Sequence, residues 1–284
     1  MRCLVVGHLT HDTIVKDGRK TERIGGGAYY SSIALSKFCE VVVLTKVGKD
    51  FPVEWLEELE SYGISTIIIP SEKSTAYELL YLDEENRQLK LLSKADPFTL
   101  DEIPQEKFDI ILFNPVANEI PPEALSLVKA KNVATDAQGF IRDFENGRVV
   151  LNEINGEFLK NAHIVHADAN EFQHIKNLNP GDIDVLLISN GAERGVAYYK
   201  GDKYIYSPLK IDVVDPTGAG DVFLASFAYF YMDCPFIQAL KRANAFTATF
   251  LERRTIDFPI AEAMEKAKFV KVEKANTDEE TSAR

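Results

Sequence analysis

Short runs of aliphatic and β-branched residues recur along the chain, with hydrophobic side chains at consecutive positions rather than at alternate ones. Runs of this kind are typical of strands that are buried on both faces of a sheet. We predict such strands at residues 4–6, 41–44, 67–69, 110–113, 164–165 and 185–188. Segments with helical spacing separate most of them, at residues 28–38, 52–62, 122–129, 152–160 and 171–175. Strands that alternate with helices predict an α/β fold, with a doubly wound and mostly parallel sheet covered on both faces.

Two segments near the first strands depart from this alternation and favour β-hairpins. Residues 12–24 contain an Asp-Gly turn, and residues 76–92 contain the polar stretch 83–86 between two strand-like halves. We predict that both hairpins form a small β lid, inserted in a single domain that spans residues 1–284. A third hairpin is predicted at residues 196–206, around a Gly-Asp turn.

Composition narrows the classes of partner and compartment. The 284 residues carry a formal net charge of −12, which disfavours nucleic acid and anionic membrane surfaces as partners. The N-terminal apolar run is too short for a signal peptide, and no stretch reaches the ~18 apolar residues of a membrane span. We therefore expect a soluble, cytoplasmic protein.

The residue types that bind metals or react with oxidants show no clustered pattern. Cys3, Cys39 and Cys234 are far apart, so neither a zinc site nor a disulfide framework is predicted, in keeping with a reducing compartment. The histidines lack the spacing of a metal triad, and we expect core or surface roles for them. No serine lies in a Gly-x-Ser-x-Gly elbow, so a hydrolase would have no supported nucleophile.

The run Asp-Pro-Thr-Gly-Ala-Gly-Asp at residues 215–221 is the motif most suggestive of chemistry. Its glycines let the backbone approach a ligand closely, and the apolar spacing after it predicts a helix that begins there. The free N–H groups of a helix start attract an anion and stabilise negative charge on a transferring phosphoryl group. Asp221 beside them can deprotonate an alcohol. In the simpler alternative, Asp215 and Thr217 only cap a helix and the glycines only form a turn.

This motif resembles the C-terminal signature of the ribokinase or PfkB family of carbohydrate kinases, and the similarity runs from the first strand to about residue 257. It is not a Walker A loop, since no Gly-Lys-Ser/Thr follows. The resemblance implies transfer of a phosphoryl group from ATP to an alcohol, with Mg²⁺ between the phosphates. It assigns Asp221 as the general base, and the N–H groups of Gly218, Ala219, Gly220 and Asp221 as the anion hole.

Three further motifs resemble the acceptor site of this family. They are Gly-x-x-x-x-Asp at residues 7–12, a glycine motif that opens a helix at residues 24–32, and residues 135–142, which resemble an Asp-x-Asn-x-x-x-Arg region. Tyr30 stands where the family usually has Asn. The resemblance implies that seven residues bind the acceptor: Asp12, Gly26, Gly27, Tyr30, Asp136, Gln138 and Arg142. The alternatives are a turn residue at Asp12 and a solvated strand-to-helix connection at residues 135–142.

The donor side resembles the family in three other segments. Residues 189–195 follow a predicted strand and resemble the loop along the nucleotide phosphates, and residues 243–248 resemble the helix that borders adenine. The implied nucleotide-binding residues are Ser189, Gly191, Glu193, Thr217 and Asn244. Asp168 and Glu171 align with an Asn-x-x-Glu motif and would hold water around Mg²⁺. The alternatives are a helix cap at Asp168 and close helix–sheet packing at Asn244.

The acceptor motif, with Tyr30, looks closer to the inositol kinases of this family than to its ribose or nucleoside kinases. We therefore expect a cyclic polyol, with myo-inositol ahead of ribose, fructose derivatives, 2-keto-3-deoxygluconate and adenosine. Of two other classes, a catalytically silent sugar or nucleotide sensor is disfavoured by the intact Asp221. A dinucleotide-dependent oxidoreductase is disfavoured because no G-x-G-x-x-G turn follows the first strand. The resemblance also allows a homodimer that pairs through the lid.

Overall fold

The computed structural model describes residues 1–81, 87–213 and 215–275. In chain order, the strands in these residues are β1 (Arg2–Val6), β2 (Thr10–Lys16), β3 (Arg19–Gly25), β4 (Glu40–Val47), β5 (Ile64–Pro70), β6 (Thr75–Tyr81), β7 (Arg87–Ser93), β8 (Ile110–Phe113), β9 (Asn132–Asp136), β10 (Arg142–Glu145), β11 (Arg148–Leu151), β12 (Ile154–Asn155), β13 (Ile164–Asp168), β14 (Ile175–Lys176), β15 (Val185–Ser189), β16 (Gly195–Tyr199), β17 (Asp202–Ser207) and β18 (Lys271–Lys274). The α-helices are α1 (Gly27–Ser36), α2 (Val53–Ser61), α3 (Ala124–Leu127), α4 (Gln138–Ile141), α5 (Ala169–Phe172), α6 (Ala219–Phe230), α7 (Phe236–Arg253) and α8 (Ile260–Lys266).

The main sheet follows the strand order β18-β17-β16-β15-β13-β9-β8-β1-β4-β5. Neighbouring strands from β15 to β5 run parallel, and β16, β17 and β18 extend one edge in antiparallel pairs. The predicted doubly wound, mostly parallel sheet is therefore confirmed. Each predicted strand lies within an observed one, and β16 with β17 forms the third predicted hairpin.

Hydrophobic clusters cover both faces of this sheet, as consecutive apolar residues in its strands require. Along β1, Val5 packs in the cluster that includes the buried faces of α1, α6 and α7, whereas Leu4 and Val6 pack in the cluster on the other face. Successive side chains of a strand point to opposite faces, so each run contributes to both clusters. Within the described residues, no helix has the length and apolar character needed to cross a membrane.

Successive strands of the chain join the main sheet first on one side of β1 and then on the other. The chain moves from β1 to β4 and β5 on one side, and then crosses to β8 and β9 on the other side. The carboxyl ends of β1 and β8 therefore meet at a topological switch point, which is where open α/β sheets bind ligands. Gly7 follows β1 at this point, and Asn114 follows β8.

A second sheet, which we call the lid sheet, has the order β10-β11-β7-β6-β2-β3. It contains both predicted hairpins, β2–β3 and β6–β7, joined by the parallel pairing of β2 with β6. The turn predicted at residues 83–86 lies outside the described residues. A further hairpin, β10–β11, was not predicted from the sequence; its strands are only four residues long and contain no fully buried residue.

Two helix predictions were wrong in part. At residues 152–160, Ile154 and Asn155 form β12 instead of a helix, and a 3₁₀ helix begins at Gly156, capped by the Asn155 side chain. At residues 171–175, the helix is α5, which ends at Phe172, and Ile175 belongs to β14. The parallel pairing of β12 with β14 accounts for both differences, because the backbone groups of these residues bond across strands.

The expectation of unpaired cysteines was also wrong. Cys3 and Cys39 form a disulfide, although 36 residues separate them in sequence. Cys3 lies in β1, and Cys39 immediately precedes β4, which pairs with β1 in parallel. The pairing of these two strands brings the cysteines together. The sequence did not predict this disulfide, because the two cysteines are not close in sequence. Cys234 is a free thiol.

Candidate active site

The motif at residues 215–221 forms a tight turn that leads into α6. Gly218 adopts a left-handed conformation, with φ of 83°, and a Cβ at this position would collide with the ring of Tyr30. Both observations favour glycine. The N–H groups of Gly220 and Asp221 have no hydrogen-bond acceptor among the described residues. They belong to the first turn of a helix and form an anion-binding end.

Asp215 holds the start of this turn. One of its carboxylate oxygens accepts hydrogen bonds from the Thr217 N–H at 2.9 Å and the Thr217 hydroxyl at 2.6 Å. The other accepts from Arg23 Nη1 of β3 at 2.8 Å and Arg254 Nη2 at 3.3 Å. Although burial opposes it, these hydrogen bonds hold the pKa of Asp215 well below its ordinary value. Asp215 thus stays ionised and ties the turn to the lid sheet.

Arg254, just beyond the end of α7, holds the backbone of the same turn. Its Nη1 donates to the carbonyl oxygens of Asp215 at 2.9 Å and Thr217 at 3.0 Å. The Thr217 carbonyl is the group that an N–H of the first turn would otherwise reach, since it stands four residues before Asp221. Arg254 therefore keeps this carbonyl occupied while the N–H of Asp221 remains available to a ligand.

Asp221 is a half-buried carboxylic acid on the first turn of α6. Burial and the negative charge of Asp136 raise the pKa of Asp221 to about 7, against the lowering effects of an Asn114 hydrogen bond and the charges of His166 and Arg142. Asn114 Nδ2 donates to Asp221 Oδ1 at 3.0 Å. A carboxylate with a pKa near neutrality suits a general base, because it accepts a proton readily and is still ionised in part.

A buried hydrogen-bonded chain lies behind the turn and was missed by the sequence analysis. His166 Nδ1 and Asp136 Oδ2 are 2.6 Å apart, and His166 Nε2 lies 3.0 Å from Ser189 Oγ. Burial lowers the pKa of His166, but the charge and the hydrogen bond of Asp136, together with the charges of Glu171 and Asp221, outweigh this effect, and the pKa lies above its ordinary value. The expectation of an ordinary core or surface role for this histidine was therefore too coarse.

The turn, Asp221 and the lid sheet line an open cleft with a volume of about 110 Å³. Six of the seven predicted acceptor-binding residues line the cleft along with Gly218 and Thr217: Asp12, Gly26, Gly27, Tyr30, Gln138 and Arg142. Arg142 Nη2 donates to Gln138 Oε1 at 2.6 Å, which orients both side chains. Tyr77, Leu79, Leu89 and Val116 add an apolar wall that was not predicted.

Asp136 is the predicted acceptor residue that does not line this cleft. Its two carboxylate oxygens are engaged by the Gln138 N–H, at 2.8 Å, and by His166. It therefore supports the site from behind, because its side chain points to the neighbouring strand β13 rather than to the cleft. The structure shows Asp136 holding His166, and its role as an acceptor ligand stays a prediction.

The predicted donor-binding residues are more dispersed. Ser189 ends β15 and contacts His166, while Gly191 and Glu193 lie in an exposed turn after it. Asn244 is buried in α7. Of the predicted donor residues, Thr217 alone lines the cleft. The nucleotide-binding role of these five residues stays a prediction.

Asp168 and Glu171 form a capping box at the start of α5. Asp168 Oδ1 accepts from the Asn170 N–H at 2.9 Å, and Glu171 Oε2 accepts from the Asp168 N–H at 3.1 Å. The other oxygen, Glu171 Oε1, lies 3.9 Å from Arg142 Nη2 of the cleft. The described residues contain no cluster of three metal-ligating side chains. The role of Asp168 and Glu171 in holding water around Mg²⁺ stays a prediction.

Comparison with known proteins places this site in a family. The pattern of "pfkB family carbohydrate kinase" matches residues 148–262. An inositol 3-kinase of Arabidopsis thaliana is 31% identical over 245 residues, which are 78% of this chain and 66% of that protein. A cytidine kinase of Thermococcus kodakarensis is 29% identical over 79% of this chain and 86% of its own length. The chain spans just under two thirds of the plant relative.

A solved structure has a similar fold. A pyrophosphate-dependent kinase of the ribokinase family, solved with a pyrophosphate analogue and myo-inositol, superposes with a TM-score of 0.77. The match covers 93% of this chain and 99% of that one, at 23% sequence identity. The motif at residues 215–221, the lid sheet and these relatives agree. The chain belongs to the PfkB family of carbohydrate kinases, phosphotransferases that act on a hydroxyl acceptor.

Proposed function

We propose that this protein transfers the terminal phosphoryl group of ATP to a hydroxyl group of a small cyclic polyol, with Asp221 as the general base. The observation that carries the proposal is the position of Asp221. It is a half-buried carboxyl with a pKa of about 7, on the wall of the cleft and on the same helix turn as the N–H groups of the anion-binding end. Family membership supports the reaction class.

The proposed reaction needs little covalent chemistry from the protein. The acceptor hydroxyl gives its proton to Asp221, its oxygen bonds to the terminal phosphorus, and the bond from that phosphorus to the bridging oxygen breaks, with its electron pair left on ADP. The N–H groups of Gly220 and Asp221 stabilise the charge on the transferring group. Mg²⁺, when bound, neutralises charge on the phosphates. The lid sheet excludes water, which would otherwise compete as acceptor.

The polar groups of the cleft support a polyol acceptor. Asp12 accepts hydrogen bonds from one side, and the Gln138–Arg142 pair offers donors from another. Between them, Tyr30 and Tyr77 present ring surfaces to the C–H faces of a ring. We propose myo-inositol as the acceptor, because it carries hydroxyls all round its ring. The relatives named as inositol 3-kinases, and a neighbour solved with myo-inositol, support this choice.

ATP is the proposed donor, and pyrophosphate is the alternative that a structural neighbour suggests. Both present a terminal phosphoryl group to the anion-binding end, and only ATP would reach the predicted nucleotide-binding residues Ser189 and Asn244.

We further propose a homodimer that pairs through the lid sheet, to be tested by light scattering. A cytoplasmic location stays a prediction. The Cys3–Cys39 disulfide removes one argument for it, because disulfides are rare in the reducing cytosol.

The experiment is a panel of steady-state kinase assays, each acceptor with ATP and with pyrophosphate, in the presence and absence of Mg²⁺. We expect kcat/KM for myo-inositol to exceed the values for ribose, fructose 6-phosphate, cytidine, adenosine and 2-keto-3-deoxygluconate at least tenfold. A tenfold lead for another acceptor would contradict the choice of myo-inositol and leave the kinase class intact. Tight acceptor binding without any turnover would contradict the proposal that the protein is an enzyme and would favour a catalytically silent sensor.

A further inference from the structure

Asn114 lies at the switch point of the main sheet, outside every motif that the sequence analysis singled out. It follows β8 directly, and its backbone N–H donates to the Val6 carbonyl at 2.8 Å, which continues the pairing of β8 with β1. Its side chain is fully buried and points toward the start of α6. A buried amide must find hydrogen-bond partners, so the partners of this one indicate its purpose.

The amide nitrogen of Asn114 joins two helix starts. Nδ2 donates to Ser31 Oγ of α1 at 2.7 Å and to Asp221 Oδ1 of α6 at 3.0 Å. The Ser31 hydroxyl donates in turn to the backbone carbonyl of Asp221 at 3.2 Å. An ionised carboxylate only accepts hydrogen bonds, so the amide must turn its N–H₂ toward Asp221. Asn114 Oδ1 is then left buried without a partner among the described residues.

A glycine lies directly against this amide. A Cβ at position 27 would collide with the Asn114 side-chain amide, whereas a Cβ at position 7 would stand 2.5 Å from the backbone carbonyl oxygen of Asn114. Gly27, predicted as an acceptor-binding residue, therefore has a second reason to be glycine. In that arrangement Asn114 Oδ1 has no hydrogen-bond partner among the described residues, which destabilises the folded protein. This loss of stability points to a role for the amide beyond packing.

We propose that Asn114 is a positioning residue for the general base: its amide fixes one oxygen of the Asp221 carboxylate, leaves the other for the acceptor hydroxyl, and favours the ionised form. This inference rests on the proposed function, in which Asp221 takes the proton. Its chemistry is general, since a hydrogen bond donated to a carboxylate stabilises the charged form.

The charged groups around Asp221 set the direction of the expected effect. Asp136 of β9 raises the pKa of Asp221, whereas His166 of β13 and Arg142 of β10 lower it, and burial exceeds each of these influences. The Asn114 hydrogen bond also lowers it. Without the amide donor, Asp221 would bind its proton more tightly, so activity would require a higher pH.

The test is the pH profile of kcat/KM in Asn114→Leu, with Asn132→Leu as the matched control. Asn132 is also a buried asparagine that donates to α6, but it reaches the Ala228 carbonyl at the far end of the helix. We expect the acidic limb of Asn114→Leu to move up by about one pH unit, a tenfold loss near pH 6, with partial recovery at pH 9 and unchanged donor binding. Asn132→Leu should lose thermal stability and keep the wild-type limb.

Asn114→Asp provides a second variant of the same size, in case the leucine does not fold. This substitution replaces the hydrogen-bond donor of the amide with a carboxylate. Because two neighbouring carboxylates share one proton, the acidic limb of the pH profile should move in the same direction as in Asn114→Leu, and further. If the acidic limb of the pH profile is unchanged in a variant that folds, Asn114 does not position the general base. If wild-type enzyme has no acceptor turnover, or if Asp221→Asn keeps full activity, the failure lies with the proposed function and not with Asn114.

Discussion

The imidazole of His166 lies directly against Gly220: a Cβ built at position 220 would stand only 2.9 Å from His166 Cε1. His166 is itself held from behind by Asp136 and Ser189. The backbone of the anion-binding end therefore rests on a buried ring that has no room to retreat. This contact explains the second glycine of the motif by packing, in addition to any contact with a ligand.

Gly220→Ala should weaken the anion-binding end. The added methyl must displace either His166 or the backbone that carries the free N–H groups, and loss of one such donor typically costs about 10²–10³ in kcat. We expect a fall of at least tenfold in kcat/KM for the donor. Gly181→Ala is the control, because its Cβ would meet only ordinary contacts, the nearest at 3.5 Å. Normal donor kinetics in Gly220→Ala would show that the contact is not limiting.

Arg254→Ala should lower catalysis much more than Arg253→Ala. Arg254 occupies the Asp215 and Thr217 carbonyls, whereas Arg253 makes a surface ion pair with Glu262. Without Arg254, the Thr217 carbonyl becomes free to accept from the first turn of α6 and to withdraw an N–H group from the phosphate. We expect a loss of kcat of tenfold or more for Arg254→Ala, and near wild-type values for Arg253→Ala. Equal kinetics of the two variants would refute this role.

Asp221 should make the wild-type protein less stable as the pH rises. Its pKa is about 7 in the folded protein against an ordinary value of 3.8, so folding is favoured by proton binding at low pH, and this contribution is lost as the pH rises through 7. Asp221→Asn removes the buried charge. The melting temperature of this variant relative to wild type should therefore increase between pH 5 and pH 8.5. A constant or decreasing difference would contradict the raised pKa.

Glu119→Gln should destabilise the wall of the cleft. The fully buried carboxylate of Glu119 accepts from the backbone N–H groups of His8, Val116 and Ala117. A glutamine offers one acceptor oxygen and leaves at least one of these N–H groups unsatisfied, at a cost of about 1–3 kcal/mol. Urea denaturation measures this loss. Glu123→Gln, at an exposed position in the same connection, should change little; an equal effect of both would be unexpected under this account.

The strands were predictable because their signal is local. In the main sheet, consecutive apolar residues such as Val41, Val42 and Val43 can only be buried on both faces, whatever the rest of the chain does. The turn at Gly218 was predictable for the same reason, since its glycines and its carboxylate are neighbours in sequence. By contrast, the pairing of β12 with β14 overrode the helical spacing of residues 152–160.

The support of the site was not predictable, because the fold assembles it from distant segments. Asn114 is 107 residues from Asp221 in sequence, and Asp136 is 30 residues from His166. The fold brings them together, because α6 packs against β8 and β9 lies beside β13. One signal was available in advance, since Asn114 and Asp136 each stand at the carboxyl end of a buried strand, where ligand sites collect.

The central claim is that Asp221 takes the proton from the acceptor hydroxyl, and the turnover of Asp221→Asn tests it most directly. The substitution keeps the size of the side chain and the backbone N–H groups but removes the proton acceptor. A general base contributes typically ~10²–10⁴-fold, so we expect kcat to fall by at least a hundredfold while the dissociation constant of the donor stays nearly unchanged. Retention of more than about a tenth of wild-type kcat would contradict the assignment.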